Sequence, residues 1–410
     1  MKLKIIAVAL GGICVGSAAA APAPGSVGRK EVGTAFDLMS WGNVDPIDKA
    51  TLAKACSDPM RANLDPQFAA VPDATDLKSL TKVYDASLAS GGDERALVRG
   101  CIEGMIAATK QRGGYVDVER AMADAKARPA SVGLSLKMVD GLPEIASVAR
   151  NGPAESKLRI GDRISEIDHE PVRGKLLSDI TRLLRGPIGS SVELTVERND
   201  VAPIELSLTR AMPSDTTSTL VRDGVGIIEI PAIRKDTPAA ITAALIPLRP
   251  QVIRGYIIDL RSCPGGLLDA AIEIADLFID QGVIAGQQGP RPVDRETRNA
   301  TRGDIAGGLP IIVLTDHGTA SGAEIVAAAL RERRKAKILG QVTAGMGTTS
   351  TVINLSDRAA FSFTTARILQ ANGSSLDGQG VKPDIEMPSG GGQEIISAAI
   401  ALLASEGAKR

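Results

Sequence analysis

Four near-continuous apolar runs limit what this chain can fold into more than any other feature. They are "GVGIIEI", "GYIIDL", "LPIIVL" and "KILG", between about Val221 and Ile385. Strands that are apolar on both sides must be covered on both faces, as in a parallel sheet under helices. Between the runs, "LLDAAIEIADLFID" and "SGAEIVAAALRERR" carry apolar residues at helical spacing. This alternation predicts an α/β layer with crossover helices over residues 221–388. "SGGGQ" reads as a joint. "EIISAAIALLASEG" reads as an amphipathic helix over 393–405 that packs back on the layer.

The texture differs upstream. Over 131–210, "VGLSLKM", "PEIASVA", "DRISEID" and "SVELTVER" are short strand-like segments separated by "NGP", "RIGD" and "GPIGS". With one helical stretch, "GKLLSDITRLLR", they predict a small, partly open β-module with a lid helix. Residues 34–127 read as helical. Asp45 is placed to cap a helix whose first turn holds Pro46, with Asp48 favouring its N-terminus. Pro59 interrupts or ends that helix. A second helix, "DERALVRGCIEGMIAATK", puts Leu97, Cys101 and Met105 on one face. The Ala/Pro/Gly-rich stretch from Ala21 to Gly33 reads as loose.

The first twenty residues read as an export signal: Lys2 and Lys4, an apolar run from Ile5 to Val15, then Ala18-Ala19-Ala20. The run is too short to span a bilayer. Ile13 before Cys14 argues against lipidation. The expectation is a soluble protein, secreted or periplasmic, starting near Ala21. An oxidising compartment permits a disulfide among Cys56, Cys101 and Cys263. Cys56 and Cys101 sit in matching helical patterns, and pairing and two free thiols are equally compatible with them.

Composition excludes some classes. With 47 basic and 48 acidic residues, the chain offers no charge excess toward nucleic acid or an anionic membrane. Aromatics are 2% of it, too few for a base-stacking surface. No His/Cys/Asp/Glu set has metal-ligand spacing, and "GGG" at 390–392 lacks the residues of a phosphate loop. Neither metal nor cofactor is expected.

"SVGL" at 131–134 and "NGPAESKLRIGDRISEIDHEPVRG" resemble the carboxylate-binding loop and following segment of a PDZ domain. The resemblance implies that Val132, Gly133 and Leu134 offer backbone N–H groups to a peptide's terminal carboxylate. Leu176, Ile180, Leu183 and Leu184 are the candidate pocket walls. "GYIIDLRSCPGGLLDAAIEIADLFIDQGVI", "LPIIVLTDHGTASGAEIVAAAL", "KILGQVTAG" and "FTTARILQANGSSLDGQGVKPDI" resemble successive blocks of the carboxyl-terminal processing peptidases, or tail-specific proteases. That resemblance implies an α/β multidomain fold: a helical N-terminal region, a PDZ-like β-module and an α/β tail-specific-protease core. It also implies a serine peptidase with a Ser–Lys pair, in which Ser321 is the nucleophile. Backbone N–H groups of Gly322, Gly265 and Gly266 would then face the developing oxyanion.

At the position of the family lysine this chain has Met346, in "AGMG". A lysine acts as base when burial keeps it neutral, whereas a thioether is only a weak hydrogen-bond acceptor. Where the family often has a glutamine that orients the lysine, the chain has Ser350. Few substitutes exist. His317 precedes Ser321 by one short turn, and His169 reads as a turn residue. Lys335 lies a whole helix away, Glu324 reads as structural, and Cys263 as a small buried residue. Three functions stay open. The first is a binder of peptide or unfolded C-terminal tails with degenerate catalysis, acting as a regulator or adaptor. The second is an active serine endopeptidase with a substitute base. The third is a structural subunit, including a homo-oligomer.

Overall fold

The computed structural model describes residues 25–387 and 392–407, apart from 63, 69, 128–129, 150–151, 176, 199–201, 213–216 and 249–252. The predicted export signal (1–20) and the predicted wall residue Leu176 therefore lie outside the described residues. The described residues divide into two compact units, one within 25–37 and 49–108, the other within 38–48 and 109–407.

The first unit is helical. A helix over Ser26–Gly42 begins in the stretch read as loose. Val32, Ala35 and Phe36 are buried at helical spacing, and this apolar face outweighs the local glycines. Helices Lys49–Arg61, Leu77–Ala89 and Glu94–Thr109 follow. Asp76 and Ser79 form a capping box, with Ser79 N–H donating to Asp76 Oδ1 at 2.7 Å. Asp93 Oδ1 accepts from Ala96 N–H at 2.8 Å at the start of the last helix.

Pro59 does not end its helix, which runs on to Arg61. A proline deprives the carbonyl four residues back, that of Ala55, of its helical donor. That carbonyl packs against Gly104, where an added Cβ would overlap it. A Cβ on Gly100 would lie 3.2 Å from Pro59 Cβ. The glycine face of one helix thus receives the proline turn of the other. Cys101 on that helix is joined to Cys56 by a disulfide, which settles the pairing left open by the sequence.

In the second unit, Asp45 caps no helix. Its carboxylate accepts from Arg367 Nη2 at 2.6 Å, and the helix starts later, at Lys49. Gly113–Asp117, read as helical, is a strand paired antiparallel with Asp117↔Ala359 through Gly113↔Phe363. Two glycines weaken a helix there, and Tyr115 and Val116 favour extended backbone. This strand joins a sheet with Ala359–Leu369, Val283–Gln288, Arg295–Asn299 and Thr348–Asn354.

The β-module has antiparallel strands in the order Leu134–Val139, Leu142–Val148, Arg163–Ile167, Ser191–Glu197 and Ile204–Thr209. Alternation buries Val192, Leu194 and Val196 of one strand with Ile164 and Leu208 of its neighbours, and Ile145 one strand further on joins the same core. The lid helix spans Leu177–Leu183.

The core sheet runs Ile385–Glu386, Lys337–Gly340, Ile311–Thr315, Gly255–Asp259, Val225–Glu229, Ser218–Arg222. All neighbours are parallel except the last pair. Period-2 alternation explains why its strands are apolar throughout. Ile228, Ile258, Val313 and Ile338 share a core with helices Leu268–Asp276 and Gly322–Arg334. Ile227, Ile257, Ile312 and Leu339 share another with helix Gly392–Gly407.

The helical unit yields two expected outcomes. Replacing Cys56 and Cys101 by serine opens a loop of 45 residues, and chain entropy puts the loss of stability at about 2–4 kcal/mol. Gly104→Ala, which drives a methyl into the Ala55 carbonyl, is expected to cost about 1–3 kcal/mol with the disulfide intact. Denaturant melts of the oxidised variants check both, and an unchanged Gly104→Ala midpoint would contradict the close helix contact.

Candidate active site

The site lies where an open parallel sheet normally places one, in the loops leaving the C-terminal ends of its strands. After Gly255–Asp259, Arg261 Nε and Nη2 donate to the buried Asp259 carboxylate at 2.9 and 2.6 Å. After Ile311–Thr315, Asp316 Oδ1 accepts from the N–H groups of Ser262 at 2.7 Å and Gly318 at 2.9 Å. Ala320 N–H donates to the Cys263 carbonyl at 2.9 Å. These bonds lay the "SCPGG" turn directly against the "TAS" turn.

Ser321 precedes the first residue of helix Gly322–Arg334 with φ 52° and ψ −119°. A non-glycine residue held there is strained and persists only when its surroundings over-determine it. Gly265 is one such surrounding: a Cβ on it would come 3.0 Å from Ser321 Cβ and 2.6 Å from Gly322 N. A Cβ on Gly322 would lie 3.5 Å from Gly266 N. Gly266 has φ 150° and abuts the Ile233 carbonyl so closely that a Cβ would overlap it. The predicted nucleophile and the three predicted glycines therefore meet in one place. The Gly266 and Gly322 N–H groups have no acceptor among the described residues. Two such donors beside a hydroxyl at a helix N-terminus suit an oxyanion.

Glu324 binds this turn to the next loop. Its side chain is fully buried. Oε2 accepts from Ser321 N–H at 2.8 Å and Met346 N–H at 2.7 Å. Oε1 accepts from Gly345 N–H at 2.8 Å and from the Thr343 hydroxyl. One carboxylate thus takes four donors, one from the Ser321 turn and three from residues 343–346. The same loop is held on its far side, where Gly378 N–H donates to the Gly345 carbonyl at 2.9 Å and Ile368 N–H to the Gly347 carbonyl at 2.8 Å. Burial raises the Glu324 carboxyl above the ordinary glutamate range, and the four donors work against that rise.

Met346 is half-buried on this loop, so the structure brings the predicted base position to the nucleophile turn. Ser350 is exposed on strand Thr348–Asn354, just after a register shift between Thr349 and Ser350. His317 is exposed, and among the described residues no hydrogen bond joins it to Ser321. Lys335 ends the helix that Ser321 begins, about 20 Å along it. Cys263 is buried, and burial pushes its thiol up to about 12. His169 takes φ 63° in a turn and meets Glu193 Oε2 at 2.7 Å.

In the β-module, Gly133 has φ 76° between the buried Val132 and Leu134, the first strand residue. Ile180 and Leu184, predicted as pocket walls, are buried in the module's core, and Leu183 is partly buried against it. Lid-helix spacing alone does not say which apolar side chain faces inward. Sequence reasoning also missed Thr343 and Asp316, because single polar residues in loops give no periodic signal.

Glu324→Gln keeps size but replaces one acceptor oxygen by a donor, and is expected to cost about 1–3 kcal/mol. The sign of its pH effect follows from the raised carboxyl. Between the ordinary glutamate value and the folded one, the native state holds a proton that the unfolded state has released. This group's contribution to stability therefore falls as pH rises through that window. Melts across the window should show Glu324→Gln lacking that slope. Native Cys263 should resist iodoacetamide near pH 8, about four units below its folded pKa, and react once the chain is unfolded.

Residues 224–387 match peptidase family S41, and residues 144–198 match the PDZ domain. The carboxy-terminal-processing protease of Bartonella bacilliformis is 32% identical over 303 residues, 72% of this chain and 70% of that protein. The carboxy-terminal processing protease CtpA of Bacillus subtilis is 33% identical over 301 residues, 72% of this chain and 64% of that protein. The structure of a photosystem II D1 C-terminal processing protease shares the fold, with a TM-score of 0.69 at 24% identity, covering 88% of this chain and 93% of that one. With a helical N-terminal region, a PDZ domain and a core built around the Ser321 turn, the chain belongs to peptidase family S41, among the carboxy-terminal processing proteases.

Proposed function

We propose that this chain is exported and binds the C-terminal tails of peptides or unfolded proteins, with hydrolysis weak or absent. The relatives' names supply the ligand class, and the PDZ match supplies a module that can hold a free carboxylate. The observation that carries the catalytic half is the place of Met346. Its amide donates at 2.7 Å to the Glu324 carboxylate that also accepts from Ser321 N–H, which supports reading residue 346 as the base position. A thioether cannot accept the serine proton. Ser321, Gly322, Gly265 and Gly266 are the catalytic positions in this reading, and Met346 and Ser350 the degenerate base position. Val132, Gly133 and Leu134 hold the carboxylate.

A second reading, an active serine endopeptidase with a substitute base, is favoured by one observation. The strained Ser321 turn and the two open N–H groups persist, and tail binding alone does not need them.

Hydrolysis of an unfolded protein separates the two. Degenerate catalysis requires wild-type turnover to be absent or little above that of Ser321→Ala. Met346→Lys with Ser350→Gln should then gain about 100-fold or more, the usual contribution of a general base. Wild-type turnover that Ser321→Ala abolishes would establish the second reading instead.

A further inference from the structure

Arg210 directly follows Ile204–Thr209, the last strand of the β-module, and only 8% of it is exposed. A buried guanidinium normally faces a carboxylate. Among the described residues this one has none. Its donors go to neutral oxygens instead. Nη2 donates to the Leu183 carbonyl at 2.9 Å and Nε to the Leu184 carbonyl at 3.3 Å, at the end of the lid helix. Nη1 donates to the Ser191 carbonyl at 2.6 Å and to Ser190 Oγ at 3.0 Å.

The surroundings place this cation beside the carboxylate loop. A Cβ on Gly186 would sit 3.0 Å from Arg210 Nε. Gly186 N–H donates to the Ala130 carbonyl at 3.0 Å, two residues before Val132. The next residue, Ala211, exchanges both backbone hydrogen bonds with Ser131, at 2.9 and 3.0 Å. Arg210 therefore joins three segments: the end of the lid helix, the entry to the Val132–Leu134 loop, and the strand that leaves the domain. Arginine suits the junction because its fork reaches several acceptors at once and stays charged when buried.

We infer that Arg210 is a positioning residue for tail recognition, which sets the lid helix against the carboxylate loop and leaves its positive charge uncompensated until an anionic C-terminus arrives. This rests on the tail-binding reading. It adds that preference for a free carboxylate over an amide depends on a residue outside the loop.

The test uses the full mature chain and fluorescein-labelled peptides ending in Ala, Val or Leu, each as free acid and as amide. Wild type should prefer the acid. Arg210→Met should lower the acid-to-amide affinity ratio about tenfold, the scale of one charge across a partly desolvated gap. Arg210→Lys, which keeps charge but loses the fork, should fall between. Gly186→Ala tests geometry with the arginine retained, since its methyl displaces the guanidinium, and it should also reduce the acid-to-amide ratio. That variant keeps the inference testable if Arg210→Met does not fold. A folded Arg210→Met with the wild-type ratio would overturn the role of Arg210 alone. Equal binding of acid and amide by wild type would overturn the tail-binding reading beneath it.

Discussion

The buried carboxylate of Glu324 is the interaction on which the site depends. Three of its four donors are backbone amides, and they come from two loops that leave different strands of the sheet. A carboxylate without a cation is stable in a core only when such donors replace its hydration. The donors need the acceptor equally, because Ser321 holds a strained backbone and Gly345 a left-handed one. The Ser321 turn and the loop of residues 343–346 are thus a single unit. The backbone geometry around residue 346 is therefore independent of the proton chemistry of its side chain. The loop is positioned by main-chain bonds that no side chain at 346 has to make.

The large architecture was legible because its physics is periodic. Four apolar runs became four neighbouring parallel strands, with alternate residues shared between two helical layers. The meeting of Ser321 with Gly265, Gly266 and Gly322 was legible through the family blocks, and glycine's small size then explained the contacts. What escaped lacked a local signature. Gly113–Asp117 is a strand only because Ala359–Phe363, far away in sequence, offers it a partner. Asp45 has the chemistry of a cap, and its pairing with Arg367 is tertiary. Thr343 is one threonine among many until it meets Glu324.

The two halves of the proposed function follow different rules. As proposed, tail recognition rests on backbone groups of residues 132–134 and on the buried Arg210, all in the β-module. Hydrolysis needs one side chain of the right proton affinity at one position, and Met346 lacks it. Cys263 offers no way around it, since a thiol pushed up to about 12 supplies almost no thiolate near neutral pH.

The central claim is that Ser321 has no functional base. Incubating the protein with a fluorophosphonate probe beside Ser321→Ala, and locating the label by mass spectrometry, tests it most directly. Folded wild-type protein with no more label at Ser321 than the alanine variant is the expected result. Stoichiometric labelling confined to Ser321 would contradict the account and show that another group takes the serine proton.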